Sequence, residues 1–582
     1  MGDGDGSQFR RRAAWAYRGD CVLQSAESRL AERTDASGAT HRAAGESSAA
    51  RLSNRIRQVP FARMSVVLIS LGLLWRAVRY ALGFPIWGDE AFVAVDFVLR
   101  DFRGMIEPLT YGQIVPLVFM WVELAVSRVL GYSEWALRLF PFLVGVAALF
   151  VFARFARTLF NRRAALLAVG IFAASYSIVR HSVEVKPYGI DLFIALLMTM
   201  SAWAVLTQPS SLWRWIALIL LAQVTPWWSY PSVLVGGAIG VVLTWRLIHE
   251  RFARRMLIGW AIYGLVLCGS FVTMYLLYGR PHARAAAALL ELESWRATFP
   301  PLREFWKLPV WFVLIHTGHL LSYPVGGSNG GSTATLVLVI VGAVRLWRQG
   351  RRELVLLLLL PLAFTFMAAA LQAYPYGGSA RTSQYMAPAF CLLAGYGLHT
   401  LLAKLVRSDL RPIAIRVAGV VLGAIAVGGI VGDLIQPYKS TPVKASHDAV
   451  RTLAARAGPA DRWVTFNAAE PVDYAPWLGD WGGVGGQWVF DMLRFAPVPL
   501  DWAPRPEAIE VRPGGKLWLF CYHGYQDRAP FPRDLWEKYL AEVTARFGSP
   551  KHEQFVIKRK GEGVEALEVY EFPLRSSDGG RD

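Results

Sequence analysis

MSVVLISLGLLWRAVRYALGFPIWGDEAFVAVDF, residues 64–97, decides how the chain is to be read. Its first part, from Met64 to Phe84, is apolar over the length a bilayer core requires, about 20 residues. Its second part sets Asp89 and Glu90 side by side where that run ends. The run is too long for the core of a signal peptide, contains Arg76 and Arg79, and lacks a small-residue cleavage site, so it reads as a retained membrane span. Two carboxylates therefore stand at a membrane edge.

The rest of the chain supports a polytopic α-helical membrane protein. Of 582 residues, 54% are hydrophobic and only 18% charged, and the mean hydropathy is +0.34, well on the apolar side of a soluble domain. The net charge of +18 does not point to nucleic acid, because arginines cluster in short loops between apolar runs, where the positive-inside rule puts them. The clusters are Arg154/Arg157/Arg162/Arg163, Arg246/Arg251/Arg254/Arg255, Arg345/Arg348/Arg351/Arg352 and Lys404/Arg407/Arg411/Arg416. All four face the cytoplasm if the spans are 64–84, 136–153, 164–180, 189–207, 212–229, 231–246, 256–278, 333–347, 353–372, 385–403 and 413–435, about eleven in all. The apolar stretches 113–130 and 306–323 are then helices on the external face, since counting either as a span would move the next arginine cluster outside. Loop 85–135, with the carboxylate pair, is external too.

Residues 1–60 are rich in Arg, Ala, Gly, Ser, Asp and Glu without apolar periodicity and read as a disordered basic cytoplasmic tail; Met1 and Met64 are both candidate starts. The transmembrane domain occupies 61–436. Residues 437–582 alternate helical patterns (KASHDAVRTLAARA, PRDLWEKYLAEVTARFG) with strand-like runs (RWVTFN, KLWLFCYH, HEQFVIK, ALEVYEF), which is a small α/β domain. An odd number of spans precedes it, so it is expected outside a plasma membrane, taken as bacterial. The glycine-rich GDWGGVGGQW (479–488) lacks GxGxxG and reads as a loop. Cys21, Cys268, Cys391 and Cys521 are widely spaced and form neither a disulfide framework nor a CxxC metal site.

FPIWGDEAF at the exit of the first span resembles the Asp-Glu signature in the first external loop of GT-C membrane glycosyltransferases, the superfamily of protein mannosyltransferases and aminoarabinose transferases. GYSEWALRLFPFLVGV (131–146), RHSVEVKPYGIDLF (180–193) and YPYGGSARTSQYMAPAF (374–390) resemble, in order, later pieces of that family. The resemblance covers about residues 64–435. It departs in the second external loop, where aminoarabinose transferases tend to have Leu-Asp and this chain has Glu184 and Lys186.

The resemblance implies transfer of a sugar from a polyprenyl-phosphate donor to a glycan, lipid or protein acceptor on the external face. Such a donor is already anchored among membrane lipids, so no nucleotide-binding module is needed. An acceptor hydroxyl needs a base, and Asp89 at the membrane edge suits that role. Glu90 would orient the acceptor or hold a divalent metal, and two adjacent acids are expected to raise one another's pKa. The leaving phosphate needs cations; Arg381, Arg180, His181 and Lys186 are candidates, with Glu184 and Tyr188 completing the substrate-binding set. No cofactor is assured.

Each assignment has a plainer rival. Asp89 and Glu90 could cap the helix that follows. Asp96 and Asp101 suit a solvated face, and Arg138 suits an interfacial snorkeller. Glu184 and Lys186 could pair with each other as i, i+2 neighbours in an extended segment. Trp227, Trp228 and Tyr230 suit an aromatic belt, and His316 and His319 lack a third metal ligand. A non-catalytic membrane scaffold and a secondary transporter of a glycan or lipid also stay open. Against the transporter, the acids gather at one face and not at mid-membrane.

Overall fold

The computed structural model describes residues 60–251, 253–286, 296–327, 330–466, 484–495, 500–502, 505–523, 533–560 and 563–573. The expected tail, apart from Pro60, lies outside the described residues. The first half of the chain folds as α1 (Phe61–Ala81), α2 (Gly88–Leu99), α3 (Leu117–Leu130), α4 (Glu134–Leu159), α5 (Arg162–Ala173), α6 (Tyr176–His181), α7 (Tyr188–Thr207), α8 (Leu212–Val224), α9 (Ser232–His249), α10 (Arg254–Met274) and α11 (Arg280–Ala285). The second half continues with α12 (Leu308–Thr317), α13 (Gly331–Arg348), α14 (Arg352–Ala370), α15 (Ala387–Leu405), α16 (Arg411–Ile435), α17 (Thr441–Arg456), α18 (Val484–Phe495) and α19 (Arg533–Phe547).

Among the described residues, nine helices are long and apolar enough to cross a membrane: α1, α4, α7, α9, the run α10–α11 of 32 residues, α13, α14, the helix Gln384–Leu405 and α16. The two other expected spans, 164–180 and 212–229, are interrupted. The first breaks at Ala174 between α5 and α6, and the second passes from α8 into a tight turn at Thr225–Trp227. The apolar stretches expected not to cross form short helices, α3 of 14 residues and α12 of 10, where a span needs about 20. Close packing within the bundle uses small residues. A Cβ on Gly342 of α13 would lie 2.2 Å from the Leu393 carbonyl oxygen of α15, so a side chain there would force the two helices apart.

The four arginine clusters meet at one end of the bundle. Arg351 donates to the Leu159 carbonyl at 2.7 Å and Arg246 to Glu353 at 3.0 Å. Arg163 and Arg416 both lie over the ring of Phe61, the first residue of α1. Because α1 starts at that end, the Asp89 turn that follows it stands at the other.

The C-terminal sheet contains β1 (Arg462–Phe466), β2 (Leu500–Trp502), β3 (Lys516–His523), β4 (Lys551–Lys560) and β5 (Gly563–Pro573), in the order β2-β1-β3-β5-β4. The β2-β1-β3 part is parallel and the β3-β5-β4 part antiparallel. Alternate strand residues fill a small core of Val464, Leu517, Leu519 and Phe572 against Trp536 and Val543 of α19. GDWGGVGGQW is not wholly a loop. Residues 484–488 open α18, whose Trp488 and Phe490 join the apolar core that runs through the bundle, while 479–483 lie outside the described residues.

Candidate active site

The first turn of α2 builds the site from two consecutive acids. The helix begins at Gly88 with Trp87 as its N-cap residue, so Asp89 and Glu90 lie inside the first turn. Successive helical residues point about 100° apart, which sends the two carboxylates into different surroundings. Of the two acids expected to cap the helix, Glu90 does so: its Oε2 accepts the Trp87 backbone N–H at 3.4 Å.

Asp89 collects partners from two distant loops. Arg381 Nη1 donates to its Oδ2 at 2.8 Å and the Tyr188 hydroxyl to the same oxygen at 3.3 Å, while Lys186 Nζ stands 3.3 Å from Oδ1. Burial pushes this carboxyl up, but the Arg381 and Lys186 charges outweigh it and hold Asp89 below the usual aspartate range. For Asp89 the expected upward shift is corrected. The acid acting on Asp89 is Glu184, and its effect is smaller than those of the cations.

Glu90 is fully buried. Its Oε1 accepts from Arg138 Nε and from the Val185 backbone N–H, both at 2.8 Å, and its Oε2 accepts from Arg138 Nη2 at 2.5 Å. Arg138 is thus a buried partner and not an interfacial snorkeller. Asp96, expected on a solvated face, is also buried; it pairs with Arg100 at 2.6 Å and accepts from the Thr110 hydroxyl at 2.7 Å. Asp101 is exposed as expected.

The segment Arg180–Tyr188 lies against Asp89, with a pairing the sequence reading missed. Glu184 binds Arg180 Nε at 2.7 Å and His181 Nδ1 at 2.6 Å, and Lys186 donates to Gln113 at 2.8 Å as well as facing Asp89. The Glu184 and Lys186 side chains are therefore not each other's partners, although the Lys186 backbone N–H donates to the Glu184 carbonyl at 2.7 Å. The segment is not extended, since α6 runs through His181 and brings i+3 and i+4 neighbours together. Burial raises the Glu184 carboxyl, but Arg180 and His181 prevail and hold it well below the usual range. Lys186 is pushed down by burial against the opposing pull of Asp89. Arg381 is pushed up, first by Asp89.

The loop that delivers Arg381 contains Gly377 and Gly378. Gly378 has φ +82°, and a Cβ there would sit 2.9 Å from Thr298 Cγ2; one on Gly377 would sit 2.7 Å from Ile315 Cγ2. The two glycines thus let this turn pass close to protein side chains. His316 also supports the loop, its Nε2 lying 3.2 Å from the Tyr376 hydroxyl.

Two residues were not foreseen. Lys439 lies 5.2 Å from the centre of the Trp87 ring, and the Arg180 guanidinium 5.4 Å from the same ring. Burial and then the Arg180 charge push the Lys439 ammonium down to about 8. Arg79 of α1 reaches Asp433 of α16 at 2.5 Å. Both residues line a narrow crevice between Trp87, Glu90 and Glu184. Of the eight expected site residues, Glu90 and Glu184 line this crevice, while Asp89, Arg381, Lys186 and Tyr188 form one cluster and Glu184, Arg180 and His181 another beside it. In this arrangement both oxygens of Asp89 face cations, and Glu90 accepts from Arg138 and the Val185 N–H.

Residues 115–294 match the family of dolichyl-phosphate-mannose-protein mannosyltransferases, which bears out the GT-C resemblance within that part of the chain. No curated protein sequence matches. Similar solved structures include ArnT from Cupriavidus metallidurans in the apo state, with TM-score 0.49, 13% identity, and coverage of 89% of this chain and 99% of that one. The same protein bound to undecaprenyl phosphate gives TM-score 0.48, 13% identity, and coverage of 87% and 97%. The oligosaccharyltransferase AglB from Archaeoglobus fulgidus, in complex with an inhibitory peptide and a dolichol-phosphate, gives 0.44, 12%, and 74% of this chain against 64% of that one.

Proposed function

We propose that this membrane glycosyltransferase of the GT-C superfamily moves a sugar from a polyprenyl-phosphate donor to an acceptor hydroxyl, with inversion and with Asp89 as the base. The observation that carries the proposal is the Asp89 carboxylate held between Arg381 and Lys186 at the end of the bundle away from the arginine clusters. The family matched over 115–294 is named for a sugar carried on such a lipid phosphate.

Base and cations pair with one another when no donor is bound, which makes Asp89 a weak base at rest. A donor phosphate entering beside Arg381 and Lys186 competes for both cations, and Arg offers it a planar fork for two oxygens. As the cations turn to the phosphate, Asp89 loses the charges that depress its pKa and becomes a better proton acceptor. The acceptor oxygen then bonds to the anomeric carbon while its proton passes to Asp89. The bond from that carbon to the phosphate oxygen breaks, and its electron pair leaves on the phosphate, facing the cations. A single displacement inverts the anomeric centre. Glu90 holds the turn in place and takes no part in proton transfer.

By the positive-inside rule, the arginine end faces the cytoplasm, and the site and the C-terminal region lie outside. A reporter fused after residue 582 is then active only outside the cytoplasm; activity inside would reverse the orientation. Transfer of labelled sugar from polyprenyl-phosphate donors, in membranes containing the protein and in membranes lacking it, tests the activity. Equal transfer in both would leave the scaffold reading.

A further inference from the structure

The C-terminal region reaches the candidate base through one buried arginine. Helix α18 packs along α2, the helix whose first turn carries Asp89 and Glu90. The Arg494 side chain, 3% exposed, stands at the end of α18 and stacks on the rings of Phe490 and Phe495 at 4.9 and 4.3 Å. Its Nε and Nη2 donate to Asp491 Oδ1 at 2.9 and 2.6 Å. Asp491 Oδ2 lies 3.1 Å from His447 Nδ1 of α17. On the other side, Arg494 Nη2 meets Glu134 Oε1 at 2.5 Å and Nη1 donates to the Tyr132 carbonyl at 3.1 Å.

Both of those contacts lead to α2. The Tyr132 hydroxyl donates to the Phe97 carbonyl near the C-terminal end of α2, at 3.3 Å. Glu134 opens α4, and Arg138, one turn later on the same face, holds Glu90 at the N-terminal end of α2. One guanidinium thus ties the C-terminal region to both ends of the helix that carries the base. We propose that Arg494 is a positioning residue: the C-terminal region braces α2 and so sets where the Asp89 carboxylate stands between the donor phosphate and the acceptor.

The inference rests on the glycosyltransfer reading for its kinetic arm and on structure alone for its other arm. A shift of about 1 Å at a reacting group costs about 10²-fold in rate. Arg494→Lys, which keeps the charge but replaces the spread of Nε, Nη1 and Nη2 by a single nitrogen, should therefore lower kcat by about 10- to 100-fold while affinity for polyprenyl phosphate stays at the wild-type value. Tyr132→Phe, which removes only the hydroxyl and folds even if the lysine variant does not, should lower kcat by a smaller factor in the same way. In both full-length variants, amide hydrogen exchange should quicken over 88–99 and remain unchanged over 331–348. Exchange over 88–99 at the wild-type rate overturns the brace whether or not sugar transfer is detected. Quickened exchange with wild-type kcat, or with lipid affinity falling in step with kcat, overturns the positioning role. Quickened exchange in a protein whose wild type transfers no sugar would leave the brace standing and sink only the glycosyltransfer reading.

Discussion

Asp89 and Glu90 are consecutive residues of the same type of charge on one helical turn, yet their surroundings are opposites. Glu90 is sealed, its oxygens filled by Arg138, the Val185 N–H and the Trp87 N–H. Asp89, with 17% of its side chain exposed, is held by long polar side chains from two loops, and one of them, Lys186, also donates to Gln113. A carboxylate that must change partners during a reaction needs the second setting, and a carboxylate that must never move needs the first. Adjacency in sequence says little about shared chemistry when a helix turns 100° per residue.

The strongest test of this contrast is to neutralise each acid alone. Asp89→Asn should fold normally and lose about 10²–10⁴-fold in transfer rate; near wild-type turnover would end its role as base. Glu90→Gln should instead destabilise the protein, because removing one partner of a buried ion pair costs about 3–5 kcal/mol. Its signature is a lower melting temperature and lower yield in detergent. A stable Glu90→Gln protein without activity would reverse the two assignments.

Arg381→Ala sharpens the comparison from the cation side. The loss of a charged hydrogen bond, about 1.5–3 kcal/mol, predicts a fall of roughly 10- to 150-fold in kcat/KM for the donor. The pH profile should move as well. Arg381 is the largest of the charges that depress Asp89, so its removal raises the Asp89 pKa, and the acid limb of kcat/KM shifts to higher pH. Arg381→Lys should hold that limb near the wild-type position. An unmoved limb in the alanine variant would separate Arg381 from the base. The smallest effect is expected for Tyr188→Phe, whose hydroxyl stands 3.3 Å from Asp89; one ordinary hydrogen bond, about 0.5–1.5 kcal/mol, corresponds to a few-fold to about tenfold loss of activity. A loss as large as that of Asp89→Asn would make Tyr188 a participant in proton transfer.

Much of the fold could be read from apolar run length and from arginine placement, since both are one-dimensional properties of a chain that must cross a bilayer. The interruptions at Ala174 and Thr225 could not, because hydropathy averages over the break. The gathering of Asp89, Arg381 and the 180–188 segment followed from ordered family resemblance, but the pairings within it did not. Arg138 and Glu90 are 48 residues apart on helices whose mutual rotation no periodicity fixes. The Glu184 pairs with Arg180 and His181 were within reach of helical spacing, had the segment been read as a helical turn and not as extended. Lys439 and Arg494 lie in or beyond the link to the C-terminal region, where no motif signals contact with the site.

The bond between Arg79 and Asp433 joins the first span to the last, and Trp75 donates to the same acid at 2.8 Å. The two partners are 354 residues apart. At about 5–20 residues per second of synthesis, roughly 20–70 s separate their emergence. During that interval the arginine has no Asp433 to meet, and the cost of carrying its charge into lipid keeps it at the water boundary. The first span is therefore held near its final depth from the moment it enters the bilayer. The last span, on arrival, brings the acid that pairs with this arginine and with Trp75, and so fixes the first span against the last by a buried charge pair as well as by apolar packing.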